Sequence, residues 1–489
     1  MCTSAQNAAA AARDKLASLS TAEKRPRTTR QVTETQPALF AADAPLAAAL
    51  EAVPAEDWGR NWAASRTMML RRTSKRVKEA VEKLRLPSVV CFRGRFWMDV
   101  PMGTDWATRQ FVWSQLASLT GRVRISTLEL RGFGMIAQDA ERLPEVLVQC
   151  PALTRLSLWN NNIGDCGAAR LAEVLTQCTA LAHLDLTCND IKARGAESLA
   201  GLLAHCTALD HLALGGNLIR QEGASFLAGV LGQCPALVHL DLRGNDIGAT
   251  GEESYAGLLG QCTALAHLDL GQCTALAHLD LSCNRIRARG VESLAGVLPQ
   301  CRALVHLNLG SNDIGPGGAE SLAEVLAQCT ALVHLDLGGN DIGPGGAESL
   351  AEVLAQCTAL DHLNLGVNNI GPGGAAKLAG VLEQCRALTH LNLTGNEIGP
   401  GGAESFAGVL GQCAALAHLV LGYNEIGDAG AESLVGVLGQ CPALTRLDLC
   451  GNDIGAAGKK RFRSSWCGPA SGLLLSWEDE EEEAENWTV

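Results

Sequence analysis

The chain has 489 residues, enough for several ordinary domains or one long repeat array. It is 47% hydrophobic but only 4% aromatic; its apolar matter is Leu, Ala and Val, which suits thin stacked layers better than one large core, and no run reaches the roughly 18–20 apolar residues of a membrane helix. Formal charge is +9 over residues 1–124, −19 over 125–458 and −3 over 459–489, together the −13 of the whole chain, which argues against nucleic acid as a ligand of the acidic body and for basic partners there.

Residues 1–60 are rich in Ala, Thr and Pro without periodicity and read as a disordered segment. The opening MCTSAQNAAAAARDKLASLS lacks a Leu-rich h-region, so no secretory signal is expected; its Ala/Ser/Thr bias keeps a transit peptide as the alternative. Residues 61–124 read as a basic helix and an N-terminal cap. Arg66–Arg85 holds eight basic and two acidic residues, with Val77, Val81 and Leu84 on one helical face and Pro87 as the stop. A solvated basic face, a nuclear-import signal and an acidic-partner site are the readings it allows. VVCFRGRFWMDV and TDWATRQFVWSQLASL then supply aromatics that would shield the first repeat, with a helix over about Asp105–Leu119.

From 125 to 458 the chain is periodic. The pattern LxxLxLxxNxI begins at Leu153, Leu181, Leu209, Leu237, Leu276, Leu304, Leu332, Leu360, Leu388, Leu416 and Leu444, behind a degenerate copy at Ile125. Every step is 28 residues except Leu237 to Leu276, which is 39. The surplus is an eleven-residue phrase, GQCTALAHLDL, written twice over residues 260–281 and placed here as an insertion at about 263–273. Two parallel strands cannot be joined by about five residues, because a crossover needs a dozen or more. Only one copy can therefore enter the sheet. The second, Leu276–Leu281, is expected there because Asn284 and Ile286 follow it directly.

Within each unit LxxLxL alternates with period two, as a strand with one buried face does. IGPGGAESLAEVLAQC (Ile314–Cys329) then spaces its apolar residues for a helix, after a Gly/Pro turn. Strand and helix in repetition give a parallel sheet with right-handed crossovers. Strands sit about 4.8 Å apart while packed helices need about 8–10 Å, so the stack must curve with strands on the concave face and helices on the convex face. The expected fold is an α/β solenoid horseshoe. Residues 459–477, with Phe462, Trp466 and Leu473–Leu475, read as its C-terminal cap, because the helix pattern fails after Gly458; residues 478–489 read as an acidic tail.

These eleven in-phase copies resemble the ribonuclease-inhibitor type of leucine-rich repeat, the 28-residue class with a full convex helix. The resemblance covers about residues 125–458. It implies a non-enzymatic interaction scaffold that binds a protein partner through the concave face and rim. Ran GTPase-activating proteins are similar in repeat number, repeat length and acidic tail, which makes activation of a Ran-like small GTPase the alternative; their activity depends on loop residues of particular repeats, and no loop residue here matches. The resemblance and the absent signal imply a cytoplasmic monomer, with nuclear entry as the alternative.

Residues in register supply the candidate sites. An Asn column (Asn161, Asn189, Asn217, Asn245, Asn284, Asn312, Asn340, Asn368, Asn396, Asn424, Asn452) stands where each strand turns away, suited to bonding stranded backbone groups. Twelve of the 19 Cys stand three residues before a leading Leu, as packed, reduced thiols. On the concave side come His183, His211, His239, His267, His278, His306, His334, His362, His390 and His418, with Arg155 and Arg446 at the column's ends. Two residues further on stand Asp185, Asp241, Asp269, Asp280, Asp336 and Asp448, interleaved with Asn308, Asn364 and Asn392. This His–Asp wall reads in three ways: repeats copied from one ancestor, pH-dependent binding, or transition-metal capture. Trp159, Arg243 and Tyr423 add the residue types that dominate protein interfaces, and a tuned patch is expected near Arg155/Trp159 or Tyr423/Arg446. No GxxxxGK[ST], HExxH or GxSxG occurs, so no catalytic residue, cofactor or dedicated metal site is assigned and the chain is read as not an enzyme.

Overall fold

In the computed structural model, residues 89–93, 113, 125–248 and 275–475 are described. Their strands form one parallel sheet in sequence order. It opens with β1 (Val89–Arg93) and β2 (Thr127–Arg131). Eleven three-residue strands follow: β3 (Arg155–Ser157), β4 (His183–Asp185), β5 (His211–Ala213), β6 (His239–Asp241), β7 (His278–Asp280), β8 (His306–Asn308), β9 (His334–Asp336), β10 (His362–Asn364), β11 (His390–Asn392), β12 (His418–Val420) and β13 (Arg446–Asp448). β14 (Leu473–Leu474) closes the sheet. Helices alternate with the repeat strands, and the fold is the expected α/β leucine-rich-repeat-type horseshoe.

The pattern of the unit becomes its core without exception at the key positions. In the unit that starts at Leu304, Leu304, Leu307, Leu309 and Ile314 are at most 1% exposed, and the helix Gly315–Leu326 adds Ala319, Leu322, Ala323 and Leu326. Cys329 lies just beyond that helix, buried in the turn that leads to the next strand, and its Sγ–H donates to the Val325 carbonyl at 3.7 Å. The convex helices pack closely because a glycine faces each preceding helix. A Cβ on Gly346 would come 2.5 Å from Ile342 Cγ2 and 2.8 Å from Ala319 Cβ, so any larger residue would force neighbouring units apart.

The Asn column ties each unit to the next. Asn368 is fully buried; its Nδ2 donates to the carbonyls of Leu337 at 2.9 Å, Leu365 at 3.0 Å and Gly366 at 3.1 Å. Its Oδ1 accepts from the N–H groups of Asn340 at 3.0 Å and Ile342 at 3.3 Å. One amide thus satisfies backbone on two successive units where the sheet has ended. The turn that carries it needs left-handed backbone on both sides of the Asn and again after the Ile. Val367 (φ 56), Asn369 (φ 54) and Gly371 (φ 65) show the pattern.

The duplicated phrase resolves in the sheet ladder. β6 pairs directly with β7, His239 opposite His278, across the 39-residue step. The second copy therefore holds the sheet position; residues 249–274, with the first copy and His267, lie outside the described residues. So do the segments 1–60 and 478–489, the basic helix and the helix of 105–119, apart from Trp113, which is helical and buried. The last helix runs from Ala456 to Ser465, with Phe462 fully buried.

Two substitutions test this framework. Asn340→Ala removes an amide that bonds the Leu309, Leu337 and Gly338 carbonyls and the Asn312 N–H, and denaturant unfolding should show a loss of about 1–3 kcal/mol. Val367 is β-branched, 62% exposed and left-handed, where the neighbouring units place Gly339 and Gly395. Val367→Gly should stabilise by about 1 kcal/mol in the same assay, by relieving that strain.

Candidate functional site

Each repeat strand turns two side chains to the concave face, one on either side of its central buried Leu; they are half-buried in most units, while Ser157 and Ala213 are buried. The first position is the His column. Parallel pairing without slippage sets His183, His211, His239, His278, His306, His334, His362, His390 and His418 side by side, with Arg155 before them and Arg446 after. Adjacent rings lie 3.8–4.9 Å apart between centroids, most of them stacked; only His390 and His418 meet edge-on, at 72°. Strands in a flat sheet stand about 4.7–4.9 Å apart. Most of the rings are closer than that, as side chains converging on the inner wall of a curved stack must be.

Stacking makes these imidazoles hard to protonate. Burial and the neighbouring His211 and Arg155 charges lower His183 to about 3. Burial, with the flanking imidazoles, brings His239 and His334 to about 4. His211, His278, His306, His390 and His418 are also lowered, in each case first by burial. At neutral pH these eight imidazoles form an uncharged polar and aromatic strip.

The second position carries the acidic column, and its carboxylates are largely committed to the backbone. Asp185, Asp241, Asp280, Asp336 and Asp448 each accept, at 2.8–3.1 Å, the N–H two residues on, closing the turn at the strand end. Asn308 and Asn364 alternate with Asp280 and Asp336 and donate to them at 3.3 and 2.9 Å, so like charges are kept apart. Where two carboxylates adjoin, at Asp241 and Asp280, the Asp241 carboxyl is raised: burial outweighs the lowering by the Arg243 N–H and guanidinium, and Asp280 and Asp185 add to the rise. This column therefore first builds turns.

At the N-terminal end of the concave face the columns frame a recess of about 480 Å³. Arg131, Arg155, Trp159, His183, Asp185, His211, Asp241 and Arg243 line it. Glu129, nearly buried, holds two of its cations, Arg131 Nε at 3.4 Å and Arg155 Nε at 3.4 Å. Ser157 donates to Asp185 at 2.7 Å, and Asp241 pairs with Arg243 at 3.4 Å. The structure thus gathers Arg155, Trp159, His183, Asp185, His211, Asp241 and Arg243 into one site. His278 to His418, Asp280, Asp336 and Asp448 extend along the wall away from it. At the far end Tyr423 is 43% exposed and its ring covers Gly451, where a Cβ would meet it at 2.6 Å; Arg446 lies beside His418. Sequence reasoning missed Arg131 and Glu129, which sit in the degenerate first unit. Carrying the 28-residue register back from Trp159 and Ser157 would have found both.

The chain matches the family described as Leucine Rich repeat over residues 177–200, 233–253, 272–295, 300–323, 328–351, 356–379, 384–407, 412–435 and 440–459. Among solved structures it is similar to an internalin (inlF) from Listeria monocytogenes, at 18% identity over 75% of this chain and 94% of that one, with a TM-score of 0.46. It is also similar to TLR13 in its complex with ssRNA13, at 18% identity over 74% of this chain and 51% of that one, with a TM-score of 0.42. No curated protein matches it.

The neutral imidazoles of the His column predict acid lability. An unfolded His titrates near 6.5, whereas His183, His239 and His334 titrate near 3–4 when folded. Between those values the unfolded chain binds more protons, so stability falls as pH drops. Thermal unfolding midpoints should be level from pH 8 to 7 and fall steadily from about pH 6.5 towards pH 4. Replacing His334 by Gln should shallow that fall.

Proposed function

We propose that this leucine-rich-repeat protein is a non-enzymatic interaction module that docks a protein partner on its concave face, anchored in the recess around Arg155 and Trp159. One observation carries the reading: this is where the wall gathers a Trp and three Arg around a hollow of about 480 Å³. Trp and Arg dominate binding energy at protein interfaces, mostly from central, desolvated pockets. Glu129 fixes Arg131 and Arg155 before any partner arrives, which lowers the ordering cost of binding. Solenoids of this kind present extended concave surfaces to their partners, and the stacked imidazoles beyond the recess would offer a neutral, flat continuation of it.

The 28-residue period and the full helix in most units support a ribonuclease-inhibitor-like subclass. Burial raises the thiols that close the helices, several to about 11. Thiols made unreactive in this way suit a reducing compartment such as the cytoplasm. Among the described residues no helix is long and apolar enough to cross a membrane.

Partner capture with the full chain, followed by affinity measurement on the captured protein, tests the anchor. Trp159→Ala and Arg155→Ala should each weaken binding at least tenfold, about 1.4 kcal/mol or more, with unfolding midpoints unchanged. Tyr423→Ala, at the far end, should have a smaller effect. Wild-type affinity in both recess variants would move the interface elsewhere.

A further inference from the structure

The His column is regular except at one step. The residue that precedes the imidazole is apolar in most units: Val238, Ala277, Val305, Val333 and Ala417. In β10 and β11 it is polar on two successive strands, Asp361 before His362 and Thr389 before His390. Register places the two histidines opposite each other, with their rings stacked 3.8 Å apart at 11°.

One carboxylate oxygen of Asp361 and one ring nitrogen from each of His362 and His390 lie within 4.8 Å of one another, the one such group of three among the described residues. His362 Nδ1 lies 3.0 Å from Asp361 Oδ2. Yet that nitrogen is shielded from solvent and makes no hydrogen bond. The Thr389 hydroxyl donates to Asp361 and lies 2.6 Å from His390 Nδ1, holding both ligands in place. A shielded nitrogen that faces a carboxylate without a hydrogen bond is an arrangement a cation completes.

We infer that Asp361, His362 and His390 form a binding site for a divalent transition metal of the zinc class. Two imidazoles and one carboxylate are the borderline donors such ions take, at about 2.0–2.2 Å each. Tetrahedral geometry at those lengths needs donors about 3.3–3.5 Å apart, which side-chain rotation supplies from the spacing present. Two of the donors, Asp361 and His390, are ready near pH 7. Burial opposes ionisation of Asp361, but the Thr389 hydrogen bond and the flanking imidazoles hold its carboxyl below the usual range. Burial, with His362 and His418, keeps His390 neutral. Three protein ligands leave the fourth position open on the concave face, where a partner's side chain or water can enter. The equivalent step at Asp210, His211 and His239 has Val238 in place of Thr389 and does not bring its three donors together.

Titration of the untagged full-length chain with Co²⁺, read by visible absorption and reversed by Zn²⁺, tests the site. The expected result is one saturable equivalent with the intense band of a four- or five-coordinate ion. Asp361→Asn and His390→Gln should each weaken it at least tenfold, and Asp210→Asn should leave it unchanged, all three with wild-type circular dichroism. No saturable band would overturn the proposal. So would several weak equivalents unaffected by Asp361→Asn, because the His column alone would then account for the binding.

Discussion

The buried Asn at the end of each strand is the interaction on which the rest of the molecule depends. A three-residue strand ends almost as soon as it begins and leaves carbonyl and amide groups with no ladder to join. Each Asn side chain bonds such groups on its own unit and on the preceding one, as Asn368 does with Leu365 and Leu337. Unpaired, those groups would each cost about 1–3 kcal/mol. The same amide therefore closes the turn and fixes the distance between units. Because it admits no slippage, every column in the sequence becomes a physical row of side chains.

That exactness of register has a chemical consequence on the concave wall. Side chains that face inward on a curved stack are closer than their backbones, and the imidazole spacings of 3.8–4.9 Å show it. Nine histidines in such a row cannot all carry charge, because each proton would be partly desolvated and repelled by its neighbours. Eight of them are held below their ordinary range, first by burial, although the composition of the wall suggests a titrating surface. The acidic column beside it is similarly restrained by the backbone N–H groups it accepts and by the Asn residues placed between its carboxylates.

Regularity also makes the exceptions informative. The recess at Arg155 and Trp159 arises where the repeats meet the degenerate first unit, whose Glu129 stands where the next units have Ser157, Asp185 and Ala213 and whose Arg131 stands where they have Trp159, Thr187 and Gly215. Asp361 and Thr389 replace apolar residues beside two stacked rings and change what that step can hold. The doubled GQCTALAHLDL is an exception of another kind: β6 pairs directly with β7, which the second copy supplies. In an array with so much copying, departures from the repeat are better pointers to binding chemistry than the repeated residues themselves.

The sequence by itself determined the period, the strand and helix within each unit, the Asn column and which of two identical phrases enters the sheet. These follow from spacing along the chain, since apolar periodicity and the minimum length of a parallel crossover are local constraints. Only the tertiary structure decided that eight of the histidines are neutral, that the carboxylates serve the turns, and that Glu129, Arg131 and Thr389 belong to sites. Those properties depend on distances between residues 28 positions apart, on burial and on curvature, and no single stretch of chain contains them.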